Sequence, residues 1–215
     1  MQESKMQKSY TIRYLLFALS VGSFSCSGEF VSESELKAYL LDEGNGVKKS
    51  VEANSGALTI TFRPADLLIS QEIVLPYDSA VLEKLRLKYS GHYYFILSLS
   101  RNGREALTTG TIPAGEFGDL LQTVSFRMRE FVNMTTNQRD TIPLADYVYN
   151  RTFGAGSSTD LLIVFDKEQA KGKEWLQINL GEFGMGLGRQ SLRFDVNDLE
   201  QVPKIDFKSL QQKTL

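Results

Sequence analysis

Two carboxylates held a few ångströms apart can hydrolyse a glycosidic bond, one supplying a proton and the other a nucleophile or base. Asp146, Asp160, Asp166, Glu174 and Glu182 flank apolar runs and carry the right groups for that chemistry. Solvated strand ends account for the same positions more simply. His92 is the only histidine. A zinc site around it would have to draw almost wholly on carboxylates, because structural zinc is built mainly from thiolate and imidazole. A Ser-His-Asp triad would have to use His92 with Ser90 or Ser98, and neither serine sits in a Gly-x-Ser-x-Gly elbow. Asp195, Asn197 and Asp198 offer oxygen ligands at a spacing similar to part of a calcium loop. The glycine and the distant bidentate Glu are missing, and helix capping explains the three residues. Two glycine-rich stretches look like phosphate cradles by composition: Gly184, Gly186 and Gly188 within Gly181–Gly188, and Gly154–Asp160. Phosphate loops run from a strand into a helix, so that backbone N–H groups meet the anion. The first stretch joins two predicted strands and the second leads into one. No catalytic, cofactor or metal residue is assigned, and the balance leans to a non-enzymatic protein.

Cys26 poses a different question. It is the only cysteine, and it closes an apolar run that begins near Tyr14. Lys5, Lys8 and Arg13 precede the run, against one acidic residue, Glu3. A positive start, a short apolar stretch and small residues at the exit form a secretory signal. The run is about half of the roughly 20 residues a membrane-spanning helix needs. Met6 is an alternative start, since the leader is complete without residues 1–5.

The segment Ser23-Phe24-Ser25-Cys26 resembles a lipobox, with Ser23 where Leu is commonest. Through residues 1–26 the chain is similar to bacterial lipoproteins of the Bacteroidetes type. The resemblance implies cleavage before Cys26 and three acyl chains on it, palmitate among them. It also implies a place in the cell envelope, at the outer rather than the inner membrane. Each buried methylene stabilises membrane association by about 0.8 kcal/mol, so three chains anchor durably where one is marginal. Asp78-Ser79-Ala80 and Asp140-Thr141-Ile142 resemble the acidic–hydroxyl–apolar sites of Bacteroidetes O-glycosylation, which makes Ser79 and Thr141 candidate acceptors.

Loss of residues 1–25 removes three basic and one acidic residue and moves the formal charge from −2 to −4. A mildly acidic chain lacks the basic patch a nucleic-acid partner calls for. With Cys26 acylated no disulfide can form, so the domain must rest on its core. Hydrophobic residues at 42% and aromatics at 11% suffice for one.

The first helix starts at Ser32 or Ser34; Ser32 with Glu35 fits a capping box, and Leu36, Tyr39 and Leu40 fall on its apolar side. Val47–Ala53 and Ala57–Arg63 read as a hairpin. Pro64 opens a helical turn, and Ser79–Tyr89 a second helix. Tyr93–Ser100 is the strongest strand, followed by an Asn-Gly turn and a return over Glu105–Thr109. Gly115–Gln122 reads as a short helix and Val124–Met134 as a bulged strand. Leu161–Phe165 has no wet face and is expected at a sheet centre. Trp175–Leu180 and Ser191–Val196 form a closing hairpin.

The expected fold is α+β: a mainly antiparallel sheet with a few helices on one side, preceded by a cleaved signal peptide. The division is leader 1–25, tether 26–33, one globular domain 34–203 and a polar C-terminal tail 204–215. Its expected role is a binding or accessory module held at the membrane by lipid, with another envelope protein as partner. Phe183, Met185 and Leu187 are expected as exposed tips of a contact loop. The alternative is a glycan- or small-ligand-binding lipoprotein using Tyr93, Tyr94, Tyr147, Tyr149 and Phe153.

Overall fold

The structure is a computed structural model that describes residues 30–212 apart from 54, 55, 109–111, 113, 153 and 154. Cys26 and the leader lie outside the described residues. The first third of the chain holds β1 (Phe30–Val31), α1 (Glu33–Leu41), β2 (Lys48–Ala53), β3 (Gly56–Phe62), α2 (Ala65–Glu72) and α3 (Ser79–Ser90). The middle holds β4 (His92–Arg101), β5 (Arg104–Glu105), α4 (Ala114–Phe126), β6 (Val132–Thr136), β7 (Thr141–Pro143) and β8 (Asp146–Tyr149). The last third holds β9 (Thr159–Asp166), β10 (Trp175–Leu180), β11 (Gln190–Asp195), α5 (Val196–Glu200), β12 (Lys204–Ile205) and α6 (Phe207–Gln212).

The fold is α+β and mainly antiparallel, as the alternation of apolar and polar residues requires. One sheet has the order β2-β3-β4-β9-β8, with β5 beside β4; the second has the order β11-β10-β6-β7. Register places Phe95 between Phe62 and Ile163 in the first sheet, and Leu176 opposite Phe194 in the second. The apolar faces of the two sheets therefore meet. Phe95 and Phe194 touch across them with ring centroids 5.2 Å apart, and both are fully buried. The chain changes sheets at a corner after β7. Leu144 is buried there, and the Ala145 N–H donates to the Val164 carbonyl at 2.9 Å.

Strands run between two poles. Five helices, α1, α2, α3, α5 and α6, gather where β4 begins and β11 ends. The other pole carries α4 and the Gly181–Gly188 loop, where Arg101 at the end of β4 donates to the Met185 carbonyl at 2.7 Å.

Ser32 caps α1 as the sequence indicates. Its hydroxyl accepts from the Glu35 N–H at 3.3 Å, and the Glu35 carboxylate accepts from the Ser32 N–H at 2.8 Å. Ser32→Ala is expected to cost about 1 kcal/mol and lower Tm by about 2–4 °C, read by circular dichroism on heating.

Three expectations are corrected. The strand expected over Val124–Met134 is the end of α4, a 3-10 turn over Met128–Glu130, and then β6. Leu120, Val124 and Met128 recur every four residues and are all buried, which is helical spacing. The return strand shrinks to Arg104–Glu105 among the described residues. Leu161–Phe165 does lie in an interior strand, β9, paired on both sides with β4 and β8. The C-terminal tail is folded through Gln212. Ile205 and Phe207 are buried, β12 pairs in parallel with β1, and Tyr77 donates to the Phe207 carbonyl at 2.8 Å. Two apolar residues among polar ones are too few to show a period in sequence. The same pairing shortens the tether, since Phe30 is already in a strand.

Candidate functional site

Glu182 organises the glycine-rich loop. One carboxylate oxygen accepts from the N–H groups of Gly184 at 2.7 Å and Gly186 at 3.0 Å, and the other from Gly188 at 2.5 Å. The three glycines have φ of +100°, +70° and +66°, a region that glycine enters without steric cost. Burial pushes the Glu182 carboxyl up, but the N–H groups of Gly186, Gly188 and Gly184 together outweigh burial and hold it below its ordinary range. The loop does gather N–H groups on an anion, as its composition suggested. The anion is its own side chain.

This geometry overturns the expected contact loop. With the glycine N–H groups turned to Glu182, the alternate residues turn inward. Phe183, Met185 and Leu187 are 8%, 3% and 5% exposed. Phe183 packs on Phe131 at 5.8 Å between ring centroids. These three side chains plug the α4 pole and offer no apolar surface to a partner.

Four of the five candidate carboxylates are engaged separately, Glu182 within its own loop and three elsewhere. Asp146 accepts from Arg129 at 3.3 Å, and Asp160 from the Ser158 hydroxyl at 2.7 Å. Asp166 caps the turn after β9 by accepting the Glu168 N–H at 2.9 Å, and that bond, with Gln169, holds its pKa down. Asp160 and Asp166 stand about 20 Å apart along β9, beyond the reach of a two-carboxylate mechanism. The backbone N–H of Glu174 donates to Asn137 at 3.2 Å. Asp195 caps α5 by accepting from the Asn197 N–H at 3.0 Å, the capping role expected of that trio. His92 is exposed at the start of β4 beside Tyr94. Among the described residues no group of three His, Cys, Asp or Glu side chains could hold a metal ion.

The tyrosines do not form a stacking platform. Tyr93 and Tyr94 are buried, Tyr147 and Tyr149 pack against the core, and Phe153 lies outside the described residues. Ser79 begins α3 and Thr141 begins β7; both are exposed.

At the helix-rich pole, Ser90, Tyr93, Lys167 and Glu200 line two adjoining hollows of about 350 and 340 Å³. The Lys167 ammonium lies 5.1 Å from the Tyr93 ring centroid. Asp66 faces the second hollow and accepts the Ile205 N–H at 2.7 Å. Burial pushes its carboxyl up against the pull of that bond and of Arg86 and Lys204. Cations and anions alternate around these hollows, as in a solvated ionic cleft.

The outer face of the second sheet is more ordered. Register sets Asn133, Asn179 and Ser191 in one row and Thr135, Gln177 and Arg193 in the next. Asn179 donates to Asn133 at 3.0 Å and to Thr135 at 3.2 Å, and accepts from Gln177 at 2.9 Å and Ser191 at 2.8 Å. Arg193 donates to Gln177 at 3.3 Å and lies 3.9 Å over the ring of Trp175. The lattice fixes its side chains before any partner arrives. In sequence Gln177, Asn179, Ser191 and Arg193 read only as the wet face of two strands, and Asn133 and Thr135 fall at and just beyond the end of the strand expected over Val124–Met134.

No protein-family model and no curated protein matches the chain. The structure is similar to the crystal structure of a protein of unknown function from Burkholderia pseudomallei K96243. The TM-score is 0.38 at 9% identity, over 80% of this chain and 94% of that one.

Proposed function

We propose that the protein is a lipid-anchored binding module of the cell envelope, non-enzymatic, whose partner is another envelope protein. The observation that carries the binding role is the Trp175–Arg193 stack beside the amide and hydroxyl lattice of the second sheet. Trp and Arg are the side chains that most often dominate protein interfaces. A face already fixed by its own hydrogen bonds loses little entropy on binding. Anchoring would act by raising the local concentration of the domain toward membrane partners.

Expression of the full chain with a clickable palmitate analogue tests the anchor. Label is expected on the wild type and absent from Cys26→Ala, which should leave the membrane fraction. No label on either would remove the anchor from the account. Crosslinking in intact cells, followed by recovery from solubilised membranes, tests the face. The expected result is a reproducible partner with the wild type that is lost with Arg193→Glu. Recovery of the lipoprotein alone, or a partner indifferent to Arg193→Glu, would contradict it.

A further inference from the structure

We infer that the helix-rich pole lies against the phospholipid surface, with Phe30 and the groove beside it as the contact. This rests on the proposed acylation of Cys26. Three residues separate Cys26 from Phe30, and four peptide steps reach at most about 14 Å. Phe30 is fixed to the fold, since β1 pairs with β12 through Phe30 opposite Lys204 and Val31 opposite Ile205. A lipid on Cys26 therefore keeps this pole at the headgroups. The ten residues of β4 set the α4 pole about 30 Å farther away.

The groups found there suit a lipid interface. Phe30 is 64% exposed and forms one wall of a groove of about 450 Å³, floored by Leu82, Ile205 and Phe207. Arg86 and Lys208 stand on its rim. The one acid there, Asp206, accepts the N–H groups of Lys208 at 3.1 Å and Ser209 at 3.3 Å. Its carboxylate is thus engaged with backbone, which leaves Lys208 to meet lipid phosphate, while Arg86 lies between the groove and the half-buried Asp66. Long cationic side chains lay their stems on apolar surface with the charge at the headgroups, and aromatic rings favour the same depth. Val74, Val81 and Leu87 add exposed apolar surface on α3 and the loop before it. With this pole on the membrane, the outer face of the second sheet stands sideways, its Trp175 end nearest the lipid. A partner reaching Trp175 and Arg193 must then itself be close to the bilayer.

The test uses the full, lipid-processed chain in phosphatidylcholine and phosphatidylglycerol vesicles whose acyl chains are brominated near the glycerol. Trp175 is the only tryptophan, so Trp175→Phe gives a silent background. Phe30→Trp is added at this pole, and Phe126→Trp at a 78% exposed position of the α4 pole. Palmitate label is measured on the same preparations. Label with emission lost for Phe30→Trp and retained for Phe126→Trp is the expected result. Label with equal quenching, quenching only at position 126, or none at position 30 overturns the orientation and leaves the anchor standing. Absence of label overturns both.

Discussion

Phe95→Ala is expected to destabilise the protein by about 3–5 kcal/mol, the usual range for removing a buried aromatic ring. In a chain of this length that lowers Tm by about 6–20 °C. Phe95 has no exposed surface and sits in the first half of β4, the middle strand of its sheet. Its ring meets Phe62 at 5.5 Å, Phe165 at 6.4 Å and, across the sandwich, Phe194 at 5.2 Å. Both sheets close on this position, so neither can move in to fill the hole without breaking its own ladder. Phe95→Leu keeps much of the volume and should cost markedly less. Denaturant titration of both variants checks this through the transition midpoint. A midpoint unmoved by Phe95→Ala would mean that the two sheets do not pack on this ring.

The second large effect falls at the opposite end of the core. Glu182→Ala removes the acceptor of three backbone N–H groups at once and is expected to cost about 1–2 kcal/mol at neutral pH, since the carboxylate is exposed and water can take over part of these bonds. Glu182→Gln keeps one acceptor oxygen without the charge and should lie between. The loop cannot turn over to recover the loss, because doing so would bring Phe183, Met185 and Leu187 to the surface. The effect also has a pH signature. The folded pKa of Glu182 is depressed, so its contribution is fully present above the unfolded value near about 4.3. It is lost as pH falls through the lower folded value. The stability gap between wild type and Glu182→Gln should therefore be constant from about pH 7 to pH 5 and close at lower pH. Thermal unfolding across that range reads it. A gap independent of pH down to about pH 3 would show that the carboxylate charge does not hold the loop.

Several features were legible in the sequence because they depend on neighbours along the chain. The Ser32 and Glu35 cap lies within one helical turn. Leu58, Ile60 and Phe62 alternate with threonine and arginine, and an alternation of two fixes a strand and its buried face. Leu176, Ile178 and Leu180 show their face against Leu192 and Phe194 for the same reason. Together with the α+β class, these follow from local periodicity.

Other features depend on pairing between distant segments. Ile205 and Phe207 became core residues only once β12 found β1, some 170 residues earlier in the chain. The lattice of Asn133, Thr135, Gln177, Asn179 and Ser191 exists because the register of three strands stacks residues that are unremarkable one strand at a time. Gly181–Gly188 makes the same point most sharply. Its composition allowed a flexible connection with apolar tips, and local preference could not choose a side for Phe183, Met185 and Leu187. The open end of the sandwich beneath α4 draws in the apolar side chains, while Glu182 collects the N–H groups that the turn leaves unpaired.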